Sequence, residues 1–213
     1  MKTPNHRRRL IQRQVQGFTL IELLTVMTII GILAGLVLGT FKFVQEKAAR
    51  SRAEAEIKAM EAGLESYKAD NGDYPDNGTG AGTTQNLNAA SVGNPSSYKA
   101  QSVILYRALS GDTNLDRRVT SADGGTDIFG ASVSPASTTA PKAYFEFKPN
   151  QLEPSNGTGA VTAIIDPWGN SYGYSTANRA NSANGFNPTF DLWSTGGQTA
   201  ATTDAKAKWL KNW

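Results

Sequence analysis

The sequence contains no cysteine in 213 residues, and its one histidine, His6, lies close to the N-terminus. Disulfide bonds, thiol nucleophiles and cysteine-ligated metals are therefore excluded. Beyond residue 17 histidine is also missing. That part of the chain can form neither a catalytic triad that needs an imidazole nor a histidine-ligated zinc site.

Acidic residues are missing from the first 17 residues, which carry five basic ones, at positions 2, 7, 8, 9 and 13. The whole chain has a net charge of +3, from 21 basic and 18 acidic residues. Without the first 17 residues, 16 basic and 18 acidic side chains remain and sum to −2. The basic character comes from the N-terminal segment, so we do not expect nucleic-acid binding.

Charge is also scarce over residues 18–41, where Glu22 is the single charged residue among 24. As a helix this segment is about 36 Å long, enough to cross a hydrocarbon core of about 30 Å. The preceding basic residues favour a cytoplasmic N-terminus. The far end of the segment, Gly39-Thr40-Phe41-Lys42, is a poor match to a signal-peptidase site. We therefore predict a single membrane span, with the rest of the chain outside the cytoplasm.

The junction between the basic segment and the span reads Gly17-Phe18-Thr19-Leu20-Ile21-Glu22. This stretch resembles the processing site of type IV prepilins and type II secretion pseudopilins. The resemblance implies cleavage between Gly17 and Phe18 by a prepilin peptidase on the cytoplasmic side, and N-methylation of Phe18. An ordinary signal anchor in which Glu22 merely lies near the interface is the alternative.

Glu22 is expected to act in assembly. A carboxylate inside a bilayer costs at least about 2.5 kcal/mol unless it is paired or protonated. Cleavage would create a cationic amine on Phe18 in the same layer, and Glu22 of one subunit could neutralise the amine of a neighbour. Such a head-to-tail contact does not need to close, and open contacts of this kind generate helical filaments.

The helical pattern continues beyond the span. Apolar residues recur three or four positions apart and form one stripe, at Ala53, Ile57, Met60, Leu64 and Tyr67. We predict a helix from about Phe18 to Ala69. Gly72 and Pro75 in the segment Asp70-Asn71-Gly72-Asp73-Tyr74-Pro75 are suited to end it.

Short apolar runs in the remainder predict a small antiparallel sheet under the apolar stripe of the helix. We expect a second helix at 103–109, an exposed loop at 76–97, and strands at 143–147, 161–165, 171–174 and 190–194. The fold class is therefore α+β, with the long N-terminal helix of the pilin fold packed on a C-terminal antiparallel sheet. The expected organisation is a cleaved leader 1–17, a transmembrane and filament-core helix 18–44, an amphipathic continuation 45–74, and a globular region 75–213 with a variable loop 76–140 and a sheet 142–195.

Three later segments resemble the major pseudopilins of type II secretion. They are the helix end at 70–75, the segment Asp166-Pro167-Trp168-Gly169-Asn170-Ser171-Tyr172, and the strand Phe190-Asp191-Leu192-Trp193-Ser194-Thr195-Gly196. Taken alone, Asp166, Pro167, Trp168 and Gly169 indicate a turn with a buried aromatic anchor. The resemblance covers most of the chain except residues 76–159.

Calcium is the one cofactor that the sequence suggests. The family resemblance implies a calcium loop after the last strand, but of its acids only Asp191 and Asp204 are present, so we expect at most a weak site there. A twelve-residue loop is better suited, with oxygen ligands at Asp112, Asn114, Asp116, Thr120 and Asp123. Arg117 stands where such loops have glycine, so a solvated polar loop is the equal alternative.

The resemblance implies a structural subunit and not an enzyme. We expect it to reside in the bacterial inner membrane with its C-terminal region in the periplasm, and then in a pseudopilus that supports protein secretion. The implied partners are further copies of the chain, other pseudopilins, the prepilin peptidase and methyltransferase, and an inner-membrane assembly platform. The alternatives are a type IV or minor pilin for adhesion, motility or DNA uptake, and a monomeric membrane-anchored ligand-binding protein.

Overall fold

A computed structural model describes residues 17–78, 82–200 and 202–213. Residues 1–16, which make up nearly all of the expected leader, lie outside the described residues. The chain divides into two compact units, Met1–Gln45 and Glu46–Trp213. We describe each unit by itself.

In its described part, the first unit consists of the non-helical residues 17–19 and the N-terminal portion of helix α1 (Leu20–Asn71). This helix contains a strongly apolar stretch of 18 residues, none of which is buried. It is therefore long and apolar enough to cross a membrane, as the sequence predicts. The large apolar side chains that α1 contributes to the first unit are all exposed, from Leu20 at 82% to Phe43 at 72%.

In the second unit, α1 presents its apolar stripe to the core. Ala53, Ile57, Met60 and Leu64 are all at most 3% exposed, and Tyr67 packs edge-on against Tyr144. The helix ends close to the predicted place. Gly72 has φ of +84°, and its amide donates to the Lys68 carbonyl oxygen at 2.7 Å, which is the left-handed termination that glycine allows.

The second predicted helix is confirmed as α2 (Lys99–Ser110), which ends on the left-handed Gly111. It follows a 3₁₀ turn, Pro95–Tyr98, and packs against strands β2 (Ala163–Ile164) and β3 (Gly173–Ser175). The buried Ser102 hydroxyl accepts from the Ile164 amide at 2.8 Å. This bond ties β2 to the helix.

The strands form two small antiparallel sheets instead of the single one expected. β1 (Leu152–Glu153) pairs with β2, and β3, β4 (Asp191–Ser194) and β5 (Leu210–Lys211) follow one another in the second sheet. The remaining elements are α3 (Ala177–Ala180), α4 (Thr203–Lys206) and 3₁₀ turns at Ser121–Gly125 and Pro149–Gln151. β1 and β5 are too short to be visible as sequence patterns.

The strand predicted at 143–147 is wrong. This segment has no regular structure, and the amides of Tyr144 and Phe145 both donate to the Leu109 carbonyl oxygen, at 2.7 and 2.9 Å. The end of α2 therefore takes the hydrogen bonds that a sheet would need. The aromatic residues of the segment pack on the core instead, with Phe147 5.2 Å from Tyr106 between ring centroids.

Candidate functional site

The start of α1 is built around Thr19 and Glu22. The Thr19 hydroxyl accepts from the Glu22 amide at 3.3 Å, and the Glu22 carboxylate Oε2 accepts from the amide and the hydroxyl of Thr19, at 2.9 and 2.7 Å. This reciprocal pair is a capping box, which satisfies the first free amides of a helix. All of these contacts to the carboxylate use Oε2, so Oε1 is available to a donor from outside the described residues.

Gly17 and Phe18 precede this cap in a non-helical, exposed segment. Peptide bonds are cleaved most readily in accessible, non-helical chain, and the cap places the start of the helix directly after Phe18. The predicted cleavage site thus lies outside the helical hydrogen-bond ladder. Its processing stays a prediction.

The turn at Asp166–Gly169 forms as the sequence predicts. Asp166 Oδ1 accepts from the amides of Trp168 and Asn170, at 3.0 and 2.9 Å, and Oδ2 accepts from the Ser194 hydroxyl at 2.6 Å. Burial raises the pKa of the Asp166 carboxyl, and these hydrogen bonds oppose the shift. Gly169 takes the left-handed conformation at φ of +82°. The carboxyl therefore ties the turn to the end of β4.

Trp168 is placed differently from the buried anchor that the sequence suggested. Its ring is half-buried, and the indole N–H donates to the Glu46 carboxylate at 3.0 Å. The turn is thereby fixed to the first residue of the second unit. Trp168 therefore packs at the edge of the core and also contacts the helix.

The loop from Asp112 to Asp123 is folded around its own carboxylates. Asp112 accepts from the Tyr106 hydroxyl and from the amides of Arg117 and Asp116, at 2.7, 2.7 and 3.1 Å. Burial raises the pKa of this carboxyl. Arg117, at the position where calcium loops have glycine, has φ of +73°. Arginine therefore adopts here a left-handed conformation that favours glycine.

The other expected ligands of this loop also face protein donors. Asp123 accepts from the amides of Thr113, Asn114 and Thr120, at 3.0, 3.1 and 2.8 Å. The side chain of Asp116 accepts from the Arg118 amide at 2.8 Å, while that of Asn114 accepts from the Asp116 amide at 2.9 Å. The Thr120 hydroxyl caps the following 3₁₀ turn.

These contacts decide how well the loop fits a cation. Calcium requires six to eight oxygens that face one point. Among the described residues no group of three or more acidic or histidine side chains is placed to hold a metal ion. The donors as arranged here do not fit calcium, and calcium binding at this loop stays a prediction.

The weaker pair, Asp191 and Asp204, is not arranged as a cation site either. Asp191 is buried and accepts from the amides of Phe186 and Asn187, at 2.9 and 2.8 Å. Asp204 is exposed in the first turn of α4. The buried carboxylate serves to hold the loop before β4.

Two family models match the chain over two successive segments. A model described as the prokaryotic N-terminal methylation motif matches residues 12–38, and a model of type II secretion system protein G matches residues 42–113. Over these residues the chain is similar to pseudopilins of type II secretion. The matches agree with the capped helix start and the long apolar helix that follows it.

Curated relatives support the same family. The chain is 40% identical over 72 residues to type II secretion system core protein G of Dickeya chrysanthemi, which covers 34% of this chain and 47% of the relative. It is 39% identical over 88 residues to the protein of the same name from Aeromonas hydrophila, covering 41% and 61%. It is 45% identical over 64 residues to the protein of the same name from Pseudomonas aeruginosa, which covers 30% of this chain and 45% of the relative. The chain thus spans about half the length of the curated relatives it matches. No solved structure matches it.

The match to the protein G model ends at residue 113 of this chain. The resemblance of the two later segments, at 166–172 and 190–196, therefore stays a prediction. The acidic loop after Asp112 also lies almost wholly outside the matched region.

Sequence reasoning missed two features of this protein. The capping role of Thr19 was readable in principle, because Thr-x-x-Glu at the start of an apolar run is its signature. The contact of the Arg50 guanidinium with the Lys208 carbonyl oxygen, at 3.0 Å, had no signal in the sequence. It joins residues 158 positions apart, and only the folded chain brings them together.

Proposed function

We propose that this chain is a structural pseudopilin subunit of a type II secretion system. It is inserted as a prepilin, cleaved between Gly17 and Phe18, methylated on Phe18, and polymerised through its N-terminal helix into a periplasmic pseudopilus. The proposal covers the whole cycle of a subunit that is first a membrane protein and then part of a filament.

The exposed apolar surface of the first unit carries this proposal. Every residue from Gly17 to Gln45 is exposed in the single chain, and the apolar stretch suited to span a membrane is entirely unburied. Exposed apolar surface of this extent requires a cover of lipid or protein. Lipid provides it in the membrane, and the helices of neighbouring subunits provide it in the filament.

The arrangement at Glu22 supports the exchange between these two states. Thr19 holds Oε2, which lowers the cost of a carboxylate in an apolar layer by satisfying part of its hydrogen-bonding capacity. Oε1 remains for the cationic amine that cleavage creates on Phe18 of another subunit. A capped, pre-oriented carboxylate is a better acceptor for such an amine than a freely rotating one.

The partners and location follow from this role. They are the prepilin peptidase and methyltransferase, other copies and other pseudopilins, an inner-membrane assembly platform, and the inner membrane itself with the second unit in the periplasm. A type IV or minor pilin has the same architecture. The names of the matched relatives, all type II secretion core proteins, favour the secretion role.

The mass of the N-terminal peptide tests the proposal. We expect protein extracted from the membranes of a host with a prepilin peptidase to begin at Phe18 and to be heavier by one methyl group, and protein from a peptidase-deficient strain to keep Met1. An intact leader in the competent host, or cleavage beyond Gly39, would overturn the proposal. Loss of secretion on deletion of the gene, restored by the intact gene, then separates the secretion role from a pilus role.

A further inference from the structure

We propose that the second unit carries a lipid-binding surface, which rests on the anionic headgroups of the outer face of the membrane before the subunit assembles. We name it the span-proximal surface and define it by Lys47, Arg50, Trp168 and Lys208. The inference rests on the proposed function for the membrane anchor. It adds a second membrane contact, made by the globular part.

Only a short length of chain separates this surface from the predicted span. Glu46 and Arg50 follow Phe41, the last residue of the predicted span, by five and nine residues of the same helix. These intervals correspond to about 8 and 14 Å of helix. The headgroup layer extends about 5 to 8 Å beyond the hydrocarbon core on each side, and lysine and arginine side chains are long enough to bridge the remaining distance.

Tertiary contacts add residues from distant parts of the chain to the same place. The Arg50 guanidinium donates to the Lys208 carbonyl oxygen at 3.0 Å, and the Trp168 indole donates to Glu46 at 3.0 Å. Lys47 and Arg50, three residues apart, share a face of α1. The C-terminal segment and the Asp166–Gly169 turn therefore both lie beside the first turns of the second unit.

The chemistry of this surface suits an anionic interface. Lys47 and Lys208 are exposed, and Arg50 uses one N–H on the Lys208 carbonyl, while a guanidinium has five. Three basic residues, Lys47, Arg50 and Lys208, stand against the single carboxylate of Glu46, which Trp168 contacts. A half-buried tryptophan beside basic side chains is the composition typical of a membrane interface.

The charge of Lys208 can be removed without damage to the fold, so the surface can be tested by substitution. Arg50 binds the backbone carbonyl of Lys208 and not its side chain, so Lys208→Gln removes a charge and keeps the bond. Lys47 is likewise exposed. Lys58→Gln is a matched control, because it makes the same charge change at an exposed position of α1, eight residues or about 12 Å beyond Arg50.

Hydrogen exchange of the cleaved full-length protein in nanodiscs tests the inference. We use one copy per disc, in phosphatidylcholine alone or with phosphatidylglycerol added, and follow the amides of residues 196–208 at low and high salt. We expect several-fold slower exchange with the anionic lipid at low salt, since each basic residue is worth about a fivefold change in the bound population. High salt should remove the difference.

The variants decide between the inference and its rivals. Lys47→Gln combined with Lys208→Gln should exchange at the phosphatidylcholine rate in both discs, and Lys58→Gln should behave as the wild type. Equal exchange in both lipids would overturn the lipid assignment, and so would a Lys58→Gln effect as large as that of the double variant. Protection that rises with the number of copies per disc would also overturn it, and would assign the contact to a neighbouring subunit instead. Cleaved protein that does not stay in the discs at all would overturn the proposed function as well.

Discussion

Single charge pairs in this protein join segments that the chain keeps far apart, and the pair of Asp73 with Arg179 is the clearest case. The guanidinium makes two parallel hydrogen bonds to the carboxylate, at 2.8 and 2.6 Å. They tie the segment after α1 to α3. The hydrogen bonds from Arg179 lower the pKa of the Asp73 carboxyl below its usual range.

We expect Asp73→Asn to lower the free energy of unfolding by about 0.5 kcal/mol at pH 7, a small value because the pair is partly exposed. A carboxyl with a lowered pKa contributes stability above its unfolded pKa and loses it as the pH falls through its folded pKa. The difference from wild type should therefore shrink as the pH falls below the ordinary aspartate pKa of about 3.9. Urea unfolding at pH 7 and at an acid pH below that value measures it.

Glu54→Gln is the control for this pair, since Glu54 is an exposed carboxylate on α1. It should leave the unfolding free energy nearly unchanged at either pH. A difference for Asp73→Asn that persists at low pH would show that packing and not charge is involved.

Among the secondary-structure elements, the register of β3 on β4 depends on one glycine. Gly173 lies opposite Trp193, whose ring is fully buried. A Cβ on Gly173 would lie 2.1 Å from the indole ring. Glycine is therefore required here by close approach, not by backbone conformation.

We expect Gly173→Ala to destabilise the protein by about 3 kcal/mol, the upper part of the range for overpacking, because the indole is buried and tightly packed. Thermal unfolding with near-ultraviolet circular dichroism of the tryptophans measures it. Gly125→Ala is the control, since its Cβ would meet its nearest neighbour at 3.8 Å. An effect of similar size in both variants would argue against the indole as the cause.

Comparison of individual elements shows where a local sequence pattern is sufficient to predict the structure. The apolar stripe of α1 and the glycine end at Gly72 are local features and are confirmed. The aromatic run at 143–147 resembles a strand equally well, but Leu109 takes the amide hydrogen bonds that a sheet partner would need. Such competition for backbone donors is invisible without the folded structure.

For the subunit as a whole, Glu22 has two roles that must be separated: it caps α1 through Thr19 and it is proposed to pair with an amine of a neighbouring subunit. Removal of the carboxylate abolishes both roles. Removal of the threonine hydroxyl weakens the cap but keeps the charge that is proposed to pair with the amine.

We expect Glu22→Ala to leave cleavage at Gly17 intact and to stop filament assembly, because the neighbouring amine then lacks its counter-charge in an apolar layer. Thr19→Ala should cost about 1 kcal/mol of helix stability and still assemble. Filament yield after shearing, with the N-terminal peptide mass as the cleavage readout, measures both. Wild-type yield from Glu22→Ala would refute the charge pairing, and equal loss in both variants would assign the effect to the cap.

Features that depend on neighbouring residues could be read directly from the sequence. The apolar run, the processing motif, the stripe of α1 and the turn at Asp166 are of this kind, because helix period, hydropathy and turn chemistry extend over a few residues only. They were sufficient to predict the fold class and the resemblance to pseudopilins.

Contacts between groups that are far apart in the sequence were decided only by the folded chain. Folding placed the Lys208 carbonyl on Arg50 and the Trp168 indole on Glu46, turned the carboxylates of Asp112 and Asp123 toward backbone amides, and divided the strands between two sheets. These outcomes depend on which donors and acceptors remain unpaired after the long elements have packed. That competition is settled over the whole chain and leaves no local pattern.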